Sequence, residues 1–159
     1  MGNEQGVRLK VLWVGKTQQE WVREGVEEYS CRIRRYLPLE ILEAREEKGA
    51  AEEIMREREC DRLAKLLPKN GRLVLLDEKG ILMSSPEFAE FIGKNRDAAV
   101  PELVFAVGGA YGFSREFRSR ADTMIALSPM TFTHQMVRVF LLEQMYRGFT
   151  ILNREPYHH

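Results

Sequence analysis

The sequence predicts an α/β protein in which a mainly parallel sheet is covered by helices. Short apolar runs alternate with longer, helix-like segments in the order βαβαβαβαβα. One run, residues 102–107, is apolar after its first residue and too short for a helix, which is typical of a strand buried on both faces of a parallel sheet. The length of 159 residues suits a single domain, 1–159, with a full hydrophobic core.

The first strand and helix follow from local patterns. Residues 8–14 are a short apolar run closed by Gly15, which predicts the first strand. Thr17 and Glu20 match a capping box, and apolar residues at helical spacing predict a helix to about Tyr36. Three arginines near the end of this helix either complement its dipole or form an RNA-facing patch: Arg32, Arg34 and Arg35.

The middle of the chain continues the alternation. Residues 39–44 predict the second strand, and residues 51–67 are good helix formers with an inward apolar face. Residues 72–76 predict the third strand, which a turn at residues 77–80 should end. Ser85 is the expected N-cap of the next helix, because a proline follows it at the first helical position.

A glycine-rich turn directly follows the fourth strand. Gly108 and Gly109 let a ligand approach the backbone closely, and Gly112 permits a positive φ. The pattern is neither GxGxxG nor GxxxxGK[ST] and does not follow the first strand, which disfavours a dinucleotide fingerprint. The turn is therefore either a tight connection or a ligand site at the carboxyl ends of the strands. Ser114 then caps a short helix, and residues 123–127 predict the fifth strand.

The last helix carries many apolar side chains. Thr131 or Thr133 caps it, and Gly148 is its predicted stop signal. Apolar residues occupy nearly its whole circumference, so the side that does not cover the sheet is expected to meet another chain. Its polar residues form two pairs at i,i+4 spacing: His134 with Arg138, and Glu143 with Arg147. Each pair is either a structural contact at an interface or an anion-binding site. The second applies if the arginine is buried without a carboxylate partner.

Composition and charge narrow the class of protein. Lys+Arg and Asp+Glu both number 24, so any contact with nucleic acid must come from a local patch. The two cysteines form no CxxC pattern, which fits a reducing cytoplasm. No apolar run approaches the roughly 18 residues of a membrane span, and the polar N-terminus disfavours a secretory signal. We therefore expect a cytoplasmic protein without a membrane partner, in which residues 1–6 form a disordered extension.

Six short motifs, each weak alone, occur in order and at matching distances along the chain. They are Leu76-Asp77-x-x-Gly80, Gly108-Gly109-x-x-Gly112, Leu127-Ser128-x-Met130-Thr131-Phe132, His134-x-x-Val137-Arg138-Val139, Glu143-Gln144-x-Tyr146-Arg147 and Tyr157-His158. Together they closely resemble the RlmH family of SPOUT-class methyltransferases, which act on large-subunit ribosomal RNA. The resemblance covers the chain from the strand at Leu9 to the C-terminus.

The resemblance implies a trefoil-knotted α/β fold with the knot near the C-terminus, and a homodimer. It also implies S-adenosyl-L-methionine as methyl donor, no metal, and transfer to N3 of a pseudouridine in 23S rRNA within the assembled ribosome. The cofactor positions that carry over are Leu76, Gly108, Gly109, Leu127, Ser128, Pro129, Met130, Thr131 and Phe132.

Three residues are the candidates for catalysis. His158 is the first candidate for a base or proton relay, because an imidazole titrates near working pH. Arg138 is suited to stabilise negative charge on the pyrimidine carbonyls, and Tyr157 to stack on the base or position the tail. His159 stands where the family usually has Lys or Arg, which predicts weaker phosphate attraction at the tip.

Two other classes of function fit the sequence less well. A non-catalytic ribosome-binding protein of the same fold is the main alternative, but both the cofactor loop and the Tyr-His tail persist. A nucleotide-dependent oxidoreductase is disfavoured by the position and pattern of the glycines.

Overall fold

The computed structural model describes residues 6–159, which form five strands and five helices in strict alternation. Residues 1–5 of the predicted extension lie outside the described residues. The strands are β1 Arg8–Val14, β2 Leu39–Ala44, β3 Arg72–Leu82, β4 Glu102–Val107 and β5 Thr123–Ala126. The helices are α1 Glu20–Ile33, α2 Glu52–Lys65, α3 Ser85–Asp97, α4 Arg115–Ser119 and α5 His134–Leu152.

The five strands form one sheet in the order β2-β1-β4-β3-β5, and all four pairings are parallel. The α/β fold class predicted from the sequence is therefore confirmed. The central strand β4 is buried along its length after Glu102, as its continuous apolar run requires. The trefoil knot stays a prediction.

Helices cover both faces of the sheet and create two hydrophobic cores. α1, α3 and α5 pack on one face, where Ile33, Phe88 and Leu141 are at most 5% exposed. α2 and α4 pack on the other face, where Leu63 and Phe117 are at most 2% exposed. None of the helices formed by residues 6–159 is long and apolar enough to cross a membrane.

Two predicted helix starts are wrong. α1 begins after Gln19, whose side chain makes no capping hydrogen bond. The predicted cap residue Thr17 instead accepts a hydrogen bond from Arg138, 121 residues away, so a tertiary contact replaces the local one. α3 begins one residue earlier than predicted, because Ser84 rather than Ser85 forms the capping box with Glu87.

Two predicted stops are also wrong, and both involve a glycine that packs against another element. β3 continues beyond the predicted turn to Leu82, with a register shift against β5. A Cβ on Gly80 would lie 2.6 Å from the backbone nitrogen of Ile125, so this glycine allows the two strands to come together. α5 likewise continues through Gly148 to Leu152, because Gly148 lies against Ala89 of α3 and is not a cap.

Candidate functional site

A cleft of about 710 Å³ opens at the carboxyl ends of β4 and β5, beside the middle of β3. Parallel α/β sheets bind ligands at this edge, and the volume is typical of a small-molecule site. Its walls come from the middle of β3 at residues 76–79, the glycine turn after β4, and the loop between β5 and α5. We call residues 127–133 the β5–α5 loop.

The glycine turn is closed by a hydrogen bond within its own backbone and packs closely against Glu59 of α2. Gly112 has φ +76°, as predicted, and its N–H donates to the Gly109 carbonyl at 3.0 Å. A Cβ on Gly108 would lie 3.3 Å from the backbone of Gly112, and one on Gly109 would lie 2.9 Å from Glu59 Oε1. A side chain at either position would therefore crowd the turn or Glu59, apart from any approach of a ligand.

Glu59 is a buried carboxyl group that the sequence does not single out. It is 3% exposed, and its Oε2 accepts from the Glu47 backbone N–H at 3.1 Å. Within residues 6–159, its Oε1 has no hydrogen-bond partner. Burial raises the pKa of this carboxyl group, and the nearby Glu46 and Glu47 add to the effect. In the sequence it is one of many charged residues in α2, so nothing marks it as the buried one.

The β5–α5 loop is organised by short polar contacts. The Met130 N–H donates to Ser128 Oγ at 2.9 Å, and the Thr131 hydroxyl donates to Glu78 Oε2 at 2.6 Å. Thr133 caps α5 through the Met136 N–H, which confirms one of the two predicted caps. These bonds join the loop to the segment that follows Leu76 across the cleft.

Eight of the nine predicted cofactor residues line this cleft, and only the exposed Pro129 does not. Three of them, Leu127, Ser128 and Phe132, also line a second cavity of about 250 Å³ on the other side of the loop. This second cavity reaches Glu143 on α5. The structure thus brings the predicted residues together, and cofactor binding by them stays a prediction.

Charged residues that the sequence did not place in the site also line the cleft. Asp77 and Arg118 pair at 2.8 Å, with side chains 9% and 31% exposed. Glu78 is engaged by Thr131, as described above. The motif around Leu76 contains the two acidic residues, but no local signal in the sequence places Arg118 of α4 opposite them.

Arg138 lies in the protein interior and does not itself line the cleft, although the neighbouring Val137 does. It is 0% exposed, and its guanidinium donates to the Val14 carbonyl at 2.6 Å and to Thr17 Oγ1 at 2.9 Å. It also lies 4.6 Å from the centre of the Trp13 ring. Desolvation lowers the pKa of Arg138 to about 10, although Glu43 and Glu46 oppose the shift. In one chain these contacts are structural, and a contact with substrate stays a prediction.

The C-terminal tail is docked on α5. The predicted pair of Arg147 and Glu143 is present at 2.7 Å, and the Tyr157 hydroxyl donates to the same carboxylate at 2.8 Å. Arg147 lies 4.8 Å from the centre of the Tyr157 ring and donates to His158 Nδ1 at 3.0 Å. Burial, followed by the bond to Glu143, raises the pKa of Tyr157. The phenol therefore stays protonated and holds the tail in place.

The docked tail and the cleft are separated along the helix. Glu143 follows His134, which lines the cleft, by nine residues. With a rise of about 1.5 Å per residue, this spacing is roughly 14 Å along the axis. In a single chain the predicted cofactor cleft and the predicted catalytic tail therefore lie apart, with the β5–α5 loop and the smaller cavity between them.

The three arginines at the end of α1 have different surroundings. Arg34 Nε donates to the Leu39 carbonyl at 3.1 Å. Arg32 pairs with Glu28 and lies over the ring of Tyr146. Only Arg35 is left without such a contact among the described residues, so the structure favours a mainly structural interpretation of this cluster. In the same residues, no group of three His, Cys, Asp or Glu is placed to hold a metal ion.

Known proteins match this chain along nearly its whole length. The family model described as "Predicted SPOUT methyltransferase" matches residues 7–158. The ribosomal RNA large subunit methyltransferase H of Citrifermentans bemidjiense is 72% identical over 153 residues, which are 96% of this chain and 99% of that protein. The protein of the same name from Geobacter sulfurreducens is 69% identical over 153 residues, covering 96% of this chain and 100% of its own length.

A solved structure agrees with the fold alone. The probable methylase family protein from Haemophilus influenzae Rd KW20 superposes with a TM-score of 0.51 at 10% identity, covering 96% of this chain and 70% of that chain. The chain belongs to the SPOUT methyltransferase family and, within it, to the group of ribosomal RNA large subunit methyltransferase H proteins.

Proposed function

We propose that this protein transfers a methyl group from S-adenosylmethionine to N3 of a pseudouridine in large-subunit rRNA, within the assembled ribosome. It does so in the cytoplasm, as a homodimer of single-domain chains spanning residues 1–159. The main support is the grouping of eight predicted cofactor residues around one cleft at the carboxyl edge of the sheet. Relatives about 70% identical over nearly the full length carry the corresponding name.

The cleft fits S-adenosylmethionine in size and chemistry. Apolar walls from Leu76, Val107 and Phe132 suit an adenine ring, and the backbone of the glycine turn offers polar groups without side chains. The cleft wall carries two carboxylates, Asp77 and Glu78, and two cations, Lys79 and Arg118, so it offers polar partners of both signs. When bound, the cofactor supplies an electrophilic methyl group on a sulfonium sulfur. Positioning of the acceptor then supplies much of the acceleration.

The proposed dimer follows from the separation of cleft and tail. Within one chain, the tail is anchored at Glu143 and Arg147, away from His134 at the cleft. A partner chain packed against α5 is in a position to bring its own tail to this cleft. Trp21 on α1, the helix that packs against α5, is 55% exposed and offers apolar surface to a partner.

The docked tail gives its two functional residues specific roles. A guanidinium only donates hydrogen bonds, so His158 Nδ1 must accept from Arg147. The Nε2 of His158 then carries the proton, which suits donation to negative charge developing on a pyrimidine carbonyl. A role as base, as predicted from the sequence, requires the tail to leave Arg147. Tyr157 holds the tail through its hydrogen bond to Glu143, and in this proposal it positions the tail against the base.

Incubation with ribosomes and labelled S-adenosylmethionine tests this function. The purified protein is mixed with assembled ribosomes, free large subunits and free small subunits. Label in large-subunit RNA, and most strongly from assembled ribosomes, is the expected result. Ribosome binding without label would instead support the non-catalytic alternative. Label confined to small-subunit RNA would contradict the proposed substrate.

A further inference from the structure

His134 is an unpaired imidazole in the wall of the cleft. It is the first residue of α5, directly after the N-cap Thr133, and it is half-buried. It shares the cleft wall with the glycine turn and the β5–α5 loop. Nothing in the part of the chain that the structure describes, residues 6–159, forms a hydrogen bond with its ring. The sequence offered it only as the partner of Arg138 at i,i+4 spacing.

The surroundings of His134 favour its neutral form. Burial is the largest cause that lowers the pKa of this imidazole, and the nearby Arg138 cation on the same helix adds to it. Glu46, from the loop after β2, opposes the shift. The N-terminal end of α5 also disfavours a positive charge at this position. A neutral imidazole has one nitrogen free to accept a proton.

The other ionisable groups in the cleft wall are less suited to accept a proton. Asp77 is paired with Arg118, and Glu78 accepts the Thr131 hydroxyl. Carboxylates are also much weaker bases than imidazole. The other ionisable side chains of the wall, Lys79, Arg118 and Tyr111, are hydrogen-bond donors rather than groups with a nitrogen free to take up a proton.

The acceptor needs such a group, because a pseudouridine N3 holds its proton well above neutral pH. We propose that His134 is the proton acceptor of the methyl transfer, an assignment that rests on the proposed function. The proton on N3 passes to the free imidazole nitrogen, and the N3 lone pair forms the new bond to the methyl carbon. The bond between that carbon and sulfur breaks with its electron pair on sulfur, which leaves S-adenosylhomocysteine. The imidazolium then releases its proton to water.

The test compares pH profiles of methyl transfer to ribosomes in wild type and His134→Gln, which keeps a polar side chain but accepts no proton. Wild type should show a plateau from about pH 7 to 8, because His134 is already neutral there. His134→Gln should be about 10²-fold slower at pH 7. Its rate should rise about tenfold per pH unit, because only the ionised acceptor reacts. His159→Gln, at the exposed tip of the tail, is the matched control and should keep the wild-type profile.

Two further measurements do not depend on the rate of that variant. The His134 imidazole, followed by NMR in the folded protein, should titrate below about 6.5, the ordinary value for histidine. Added imidazole should restore part of the activity of His134→Ala and none of the activity of His158→Ala. Calorimetry should give both His134 variants the wild-type affinity for S-adenosylmethionine.

Three results would overturn the assignment. They are a wild-type rate that His134→Gln matches within about twofold, an imidazole that titrates above about 7.5, and a His134→Ala protein that imidazole does not rescue. A wild-type protein that transfers no methyl to any ribosomal RNA would defeat the proposed function itself. The two failures can be told apart, because the second is seen in the wild-type protein alone, before any variant is compared with it.

Discussion

Replacement of Arg138 by methionine separates a structural role for this residue from a catalytic one. The side chain is fully buried, and it joins α5 to the end of β1 through Val14 and Thr17. Methionine fills similar apolar volume but donates no hydrogen bond. The Val14 carbonyl and the Thr17 hydroxyl would lose this donor inside the protein, where each unsatisfied group costs about 1–3 kcal/mol.

The expected net decrease in the free energy of unfolding is smaller than the sum of these costs. Loss of the contact with the Trp13 ring costs about 1–2 kcal/mol more. Burial of the cation opposes folding in the wild type, as its lowered pKa of about 10 shows, and within residues 6–159 its Nε has no partner. The variant recovers part of that cost. We expect a net destabilisation of about 2 kcal/mol, or roughly 4–8 °C in Tm for a chain of this size.

Denaturant unfolding and scanning calorimetry measure this loss of stability, with Arg35→Met in the exposed turn after α1 as the control. Methyl transfer is then measured per folded molecule at a temperature where the variant stays folded. A structural role predicts at most a few-fold loss of rate. An unchanged unfolding midpoint together with a rate reduced about 10²–10³-fold would refute this reasoning. It would establish Arg138 as a residue that acts on the acceptor.

Three further predictions follow from contacts in and around the site. Gly109→Val should weaken S-adenosylmethionine binding at least about tenfold in calorimetry, because its Cβ meets Glu59, whereas Gly6→Val, with open space around it, should not. Glu59→Gln should make the free energy of unfolding less dependent on pH above about pH 4.5, because the raised folded pKa of Glu59 makes wild-type folding less favourable as pH rises from the unfolded value towards the folded one, by about 1.4 kcal/mol per pKa unit. Removal of residues 157–159 should leave S-adenosylmethionine affinity nearly intact in calorimetry but abolish methyl transfer, and a truncated enzyme with the intact rate would contradict a role for the tail.

Local patterns in the sequence predict features whose cause is local. The apolar run of β4 identifies a strand buried on both faces, and Thr133 caps α5 with its own neighbouring backbone. The pairing of Glu143 with Arg147 follows from helical spacing alone. The predicted cofactor residues have no such local signal, and only the order and spacing of the family motifs mark them. The structure then brings them together at one edge of the sheet.

Features with a tertiary cause were missed. Gly80 resembles a turn residue, but β5 packs so closely against it that a Cβ there would lie 2.6 Å from the backbone nitrogen of Ile125. Gly148 resembles a helix stop, but α3 packs against it. Thr17 resembles a cap until Arg138 reaches it from α5. In each case the residue type is compatible with two uses, and only the partner, distant in sequence, decides between them.

The most direct test of the proposed function is nucleoside analysis of ribosomal RNA after reaction with the wild-type enzyme. Assembled ribosomes that lack the modification are incubated with the protein and S-adenosylmethionine, and their RNA is digested for mass spectrometry. The proposed function predicts one added methyl group on a pseudouridine of the large-subunit RNA. It also predicts a stop of reverse transcription at that nucleotide, because a methyl group on N3 blocks base pairing. A methyl group on a ribose, on another base or in small-subunit RNA would contradict it.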